Sequence, residues 1–339
     1  MSRTWMLLGL LAALAGPAVA SPAESGEAET KTAVLRHRAP RASDVVLPAE
    51  RFAPVGASID VAGRRFPVRL DGLALEVDVD ADGTFDVRAA GASARVVLAG
   101  ATGAYAVRLR NDGTGWTWAA GGEMTGEVAG TRVRIIDQDG DGTYDDYGAD
   151  AIVVGRGRVA TFLSRTINVD GKLWAIDVAA DGASVRWRPY DGPAGSLKLD
   201  YQTRGKVLGL VVKSTDGAHS FDLARAGEGL LVPAGTYELA RGQIGLGETR
   251  VEVRAGRAGA VLVKDGATTE LVWGGPVKAE FGYVRTGGEV ALSPADIRYF
   301  GSAGEEYVSW FPDGKSPRIV ITHGKTGREI AEAYFPGSC

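Results

Sequence analysis

The feature that most constrains this chain is its punctuation. Asp-Gly dipeptides recur at 71, 82, 112, 141, 170, 181, 191, 216, 265 and 313, in a sequence that holds 48 glycines. Asp-Gly between apolar runs is a tight-turn signal, because type I′ turns need positive φ at both central positions. Glycine at this density also works against helices, where each one gives up stability relative to alanine. Between the turns the residues alternate, as in Arg132-Val133-Arg134-Ile135, Val185-Arg186-Trp187-Arg188 and Arg250-Val251-Glu252-Val253-Arg254. Period-two alternation sets one face on a core and one in water, which is the half-buried antiparallel strand. The predicted class is all-β, built as two or three antiparallel β-sandwich modules. One helical start is expected at Ser293-Pro294-Ala295-Asp296, with a capping hydroxyl, proline at the first position and an acid at the third.

The ends and composition set the frame. Arg3, the apolar run Trp5 to Ala15 and the small residues Gly16-Pro17-Ala18-Val19-Ala20 read as a cleaved signal peptide over 1–20. That run is too short for a spanning helix, which needs about 20 apolar residues. A secreted or periplasmic chain without a membrane span is therefore expected. Residues 21–50 read as a flexible linker, acidic at first and basic later at Arg36, His37, Arg38 and Arg41. The basic group is either a docking arm or a solvated charge run. Beyond it we expect a β domain with acidic calcium-type loops over 51–190, a β-sandwich-like segment over 191–274 and a small immunoglobulin-like segment over 275–339. The single cysteine, Cys339, excludes an internal disulfide and is either a terminal thiol or an intermolecular link. A net charge of −4 argues against nucleic acid as a partner.

Two acidic stretches carry the chemistry. The first is Asp78-Val-Asp80-Ala-Asp82-Gly83-Thr84-Phe85-Asp86, the second Asp137-Gln-Asp139-Gly-Asp141-Gly142-Thr143-Tyr144-Asp145. Calcium is a hard cation that takes six to eight oxygens at roughly 2.3–2.6 Å. Carboxylates at positions one, three and five converge if the chain curls, and a glycine at six permits the sharp turn. The alternative is a metal-free acidic hairpin. For the first stretch a continuing strand with outward carboxylates is also open. A third echo, Asp177 to Gly182, lacks two of the acids and reads as a turn. Gly72 to Val79 and Gly171 to Val178 also match one another, as a duplicated hairpin or as shared strand-and-turn grammar.

The acidic pattern resembles the Asp-x-Asp-x-Asp-Gly-x-x-Asp calcium loop of integrin-α (FG-GAP) repeats. It is less similar to an EF-hand, whose twelfth position is Glu but is Gly148 or Ala89 here. What the FG-GAP resemblance implies is side-chain ligation by Asp137, Asp139, Asp141 and Asp145 with the carbonyl of Thr143, and the same roles for Asp78, Asp80, Asp82 and Asp86. Asp146 and Asp150 lie near enough in sequence to supplement the second set. Residues 130–193 also resemble uncharacterised secreted bacterial β-rich proteins with an acidic DGxYxD loop. Val232 to Leu239 resembles a closing strand of transthyretin-like or carboxypeptidase-regulatory-like sandwiches.

No enzyme pattern stands out. His37, His219 and His323 are isolated, and there is no zinc pair or nucleophile elbow. Glu305-Glu306 reads as a loop rim. The expectation is an exported calcium-binding β-sandwich protein with a structural or binding role, partnered by the ion and by envelope protein or polysaccharide. A carbohydrate-binding module is the alternative and requires Trp116 and Trp118 on an exposed face. A secreted hydrolase is the second alternative and requires two convergent carboxylates outside the acidic loops.

Overall fold

The computed structural model describes residues 29–39, 45–100, 103–308 and 318–334. The expected signal segment, Arg41, Trp310, the 313 turn and Cys339 lie outside the described residues. The fold is all-β, and its sheets are largely antiparallel. The described residues contain no α-helix, only a 3-10 turn at Leu223–Glu228. No helix among them is long and apolar enough to cross a membrane.

Two large hydrophobic cores organise the described residues, with a smaller cluster of Leu47, Ile136, Ala151, Val153 and Ala160 beside them. The first gathers buried side chains from Leu35 to Val185, including Phe66, Leu98, Leu109, Ile135 and Ile152. The second runs from Leu197 to Trp273, with Leu173 reaching into it from the first half. Beside the first core sits a five-stranded sheet in the order Thr161–Phe162, Ala151–Val154, Thr131–Ile136, Glu123–Val128, Arg36–Arg38. A meander of Ser58–Val61, Arg64–Asp71, Ala74–Val77 and Val87–Ala89 packs nearby.

Part of the expected linker is sheet. Lys31–Val34 pairs with Ser184–Pro189, and Arg36–Arg38 pairs with Glu123–Val128. The reason is Leu35, 3% exposed in the first core, with Ala33 packed beside it. Two apolar side chains at alternate positions seat the segment, too few to register as periodicity among the charges.

The expected helix at Ser293–Asp296 is also corrected. These residues lie within the strand Glu289–Phe300, at the register shift where Ile297 pairs with Phe281 and Leu292 with Tyr283. Ser293 does accept the Ala295 N–H, at 3.2 Å. Cross-strand pairing on either side prevents that cap from starting a helix, and a bulge is where a strand tolerates proline. Nor does 275–308 stand apart from what precedes it. Glu306–Val308 pairs with both Thr249–Arg254 and Glu289–Phe300, joining them in one sheet.

The turns follow a different rule from the one expected. Positive φ at both central residues occurs at Ala62-Gly63, Ala129-Gly130 and Asp170-Gly171. At other Asp-Gly pairs only the glycine adopts it, as at Gly83, Gly113, Gly142 and Gly217, and at Asp191-Gly192 neither residue does. The aspartate instead accepts a backbone N–H two residues on, at Asp82, Asp112, Asp141, Asp181 and Asp216. Asx turns thus account for five Asp-Gly pairs, whereas paired positive φ is found at Asp170-Gly171 alone among the described ones.

Candidate metal centre

The second acidic loop closes the hairpin between Thr131–Ile136 and Ala151–Val154, where Ile136 pairs with Ala151. Its flanks are strands, not helices. The first closes the hairpin between Ala74–Val77 and Val87–Ala89. In each, three carboxylates lie within 4.8 Å of one another, close enough to hold a metal ion: Asp137, Asp139 and Asp141, and Asp78, Asp80 and Asp86. In each trio the first aspartate is buried and the other two are exposed.

Asp137 is the root of the second site. It is 1% exposed and accepts three hydrogen bonds: from the Tyr105 hydroxyl, from Gly140 N–H at 2.7 Å and from Gly142 N–H at 2.7 Å. Burial pushes its carboxyl up to about 7, against the pull of those donors, with the Asp139 charge adding to the rise. Asp150, also fully buried, accepts the Gln138 and Asp146 N–H groups at 3.2 and 3.1 Å. Burial and then the Asp137 charge push it up to about 8. Among the described residues, no Lys or Arg forms an ion pair with either acid, nor with Asp139 or Asp141. Negative charge here is concentrated, part-buried and short of protein cations.

The remaining residues of the pattern sit differently. Asp145 is half-buried and not part of the trio. Thr143 faces Asp141 with its N–H and hydroxyl at 2.7 and 2.9 Å, and its hydroxyl also reaches Asp146 at 3.1 Å. In the first loop Asp82 is outside the trio, accepting the Thr84 N–H at 2.7 Å. Asp78 is buried and accepts the N–H groups of Gly83 and Asp82 at 2.9 and 3.2 Å. Burial pushes its carboxyl up, but backbone donors from Asp80 to Gly83 outweigh that and hold it below its ordinary value. The chain leaves the strand at Val77, so the continuing-strand reading does not hold.

The second loop is gripped from several sides. Gly140 lies against the Trp118 ring, where an added Cβ would come within 3.2 Å. The Tyr144 N–H donates to Ala180 O at 2.9 Å, and Gly182 fits beneath the Tyr144 ring. The Asp177–Gly182 turn is therefore a floor for the loop. Across the loop, Ala62 N–H donates to Asp141 O at 2.9 Å. Two residues on, Arg64 donates to the carbonyl of Asp80 in the first loop. Gly142 has φ +92, and a Cβ there would approach the Ala62 backbone to 2.6 Å. Gly142→Ala is expected to destabilise by about 3 kcal/mol or more, from left-handed strain plus overpacking, as read by urea denaturation.

Trp116 and Trp118 are 6% and 8% exposed, and the Trp116 ring N–H is satisfied by Leu73 O, so neither offers a platform for a sugar ring. Glu305 is no loop rim: fully buried, it accepts the N–H groups of Gly274 and Ala303 at 2.7 and 3.1 Å. Tyr105 has no local sequence signal toward the loop, because it reaches Asp137 from a strand 32 residues earlier. No family model matches the chain, and no curated protein or solved structure does either.

Proposed function

We propose that this is an exported calcium-binding β-protein in which the Asp137 loop holds the ion and calcium completes the fold. The observation that carries the reading is the convergence of Asp137, Asp139 and Asp141 with no paired cation among the described residues. Oxygen-only donors on a tight loop suit a hard cation. Like charges crowded at a part-buried site repel unless an opposite charge joins them. Asp137 would supply the fixed inner ligand, while Asp139 and Asp141 close over the ion from the solvent side. The Asp78 trio is the second site of the same kind. The N-terminal signal pattern supports export, and a structural role in the envelope or outside the cell is the part of this reading that the stability measurements below test.

Calcium that binds only the folded state stabilises it by RT ln(1 + [Ca]/Kd). With Kd near the extracellular-module range and ~10 mM calcium, that is about 1.4–2.7 kcal/mol per site. Thermal melts in calcium and in EGTA are expected to differ accordingly. Asp141→Ala is expected to remove the part of that shift owed to the second loop, and Asp80→Ala the part owed to the first. Identical melts of the unaltered protein in the two buffers would overturn the proposal.

A further inference from the structure

One face of the five-stranded sheet carries charge that the metal loops do not use. Arg36 and Arg134 both pair in register with Thr125, Arg38 pairs with Glu123, and Arg132 with Glu127. Alternation places all of these on one side of the sheet, opposite the buried Met124 and Ile135. Glu123 is 3% exposed, and three guanidinium groups converge on it, Arg38 at 3.6 Å, Arg132 at 3.6 Å and Arg134 at 3.5 Å.

The donors here outnumber the acceptors. A carboxylate offers two oxygens, whereas each guanidinium carries five N–H groups in a rigid fork. The Arg38 and Arg132 side chains remain 56% and 40% exposed over the buried acid. The buried Arg132 Nε and Thr125 hydroxyl have no hydrogen-bond partner, and neither does Glu123 Oε1. Arg36 is exposed and makes no ion pair among the described residues. Four arginines thus face two glutamates, in a chain whose formal charge is −4. The three strands Arg36–Arg38, Glu123–Val128 and Thr131–Ile136 carry no Phe, Tyr or Trp, so the face lacks the stacking surfaces that single-stranded nucleic acids use.

We propose that this face binds an acidic polysaccharide. Its carboxylate or sulfate groups would meet Arg36, Arg38 and Arg132, the planar fork of each matching two oxygens. Glu123 is the positioning residue: its buried charge lies among the three guanidiniums and offsets their mutual repulsion. The site is independent of the acidic loops, so the calcium reading can fail without it.

The experiment is calorimetric titration with dextran sulfate in EDTA at low salt, with neutral dextran as control. Binding is expected for the sulfated polymer only. Arg38→Ala with Arg132→Ala is expected to weaken it at least about tenfold and to flatten its dependence on salt. Arg36→Ala, at a side chain with no ion pair to lose, is expected to weaken binding while leaving the melt unchanged. Glu123→Gln is expected to weaken binding although it makes the protein more positive. The distant exposed pair Arg285→Ala and Arg328→Ala is expected to change nothing. No binding of dextran sulfate, or an equal loss in the Arg285/Arg328 variant, would overturn the proposal. So would displacement of the polymer by a single-stranded oligonucleotide at equal charge concentration.

Discussion

Without calcium, the stability of this protein is expected to fall as the pH rises from about 4 to about 8, and calcium is expected to abolish most of that fall. The cause is the buried pair. Asp137 and Asp150 titrate near 7 and 8 in the fold, against an ordinary value of 3.8. Below pH 3.8 both folded and unfolded chains hold these protons, and the full stability is present. Above it the unfolded chain releases them first, so the fold loses ground until its own carboxyls have ionised. Each unit of separation is worth about 1.4 kcal/mol, and because the Asp137 charge is itself part of the Asp150 rise the two shifts overlap rather than add, so the pair is expected to withdraw several kcal/mol by pH 8. The depressed acids, Asp78, Asp112 and Asp216, act in the opposite sense, since what they contribute is lost as the pH falls below their ordinary value of 3.8. A bound divalent cation replaces the missing protons and stabilises the charged forms. Urea midpoints at pH 5 and pH 8, in EGTA and in calcium, measure this. Asp150→Asn is expected to remove a large part of the slope in EGTA. Equal midpoints at the two pH values in EGTA would refute the account.

The second large effect separates the buried root of the loop from its rim. Asp137→Ala leaves the Tyr105 hydroxyl and the Gly140 and Gly142 N–H groups without their acceptor. An orphaned buried donor costs about 1–3 kcal/mol, so a loss of about 3–5 kcal/mol is expected at pH 5 in EGTA. Asp141 is exposed and accepts the Thr143 N–H and hydroxyl at the solvent edge, so Asp141→Ala is expected to cost about 1 kcal/mol or less under the same conditions. Addition of calcium is expected to leave the second-loop increment missing from both variants alike, although only Asp137→Ala began unstable. Equilibrium denaturation of both variants, with and without the ion, reads all four quantities. Equal intrinsic losses would show that Asp137 has no special part in holding the loop.

What could be read from residues alone was what local grammar encodes. Alternation located the strands around Arg132, Val185 and Arg250, and the spacing of Asp137, Asp139 and Asp141 anticipated their meeting. The ninth-position acids did not sort the same way, since Asp86 joins its trio and Asp145 does not. Nothing adjacent to either residue announces that difference, which depends on how each hairpin leaves its loop. Tyr105 and the Ala180 carbonyl approach the second loop from distant strands, and Glu123 gathers arginines from two neighbouring strands at once. Such contacts are set by register and by which sheets pack together. A motif-by-motif reading has no access to them. The Lys31–Arg38 strands were hidden for the complementary reason, with Leu35 alone among them fully committed to the core.

The Ala62–Arg64 turn has a wider meaning than its three residues suggest. Through Ala62 it holds the Asp141 carbonyl, and through Arg64 it holds the carbonyl of Asp80. One short turn is thus a shared bearing for two acidic loops that are far apart in the chain. The bearing grips one loop through its backbone, at Ala62 N–H, and the other through a side chain, the Arg64 guanidinium. Any coupling between the loops through this turn would have to be reciprocal, so that a ligand at one changes affinity at the other by the same factor in both directions.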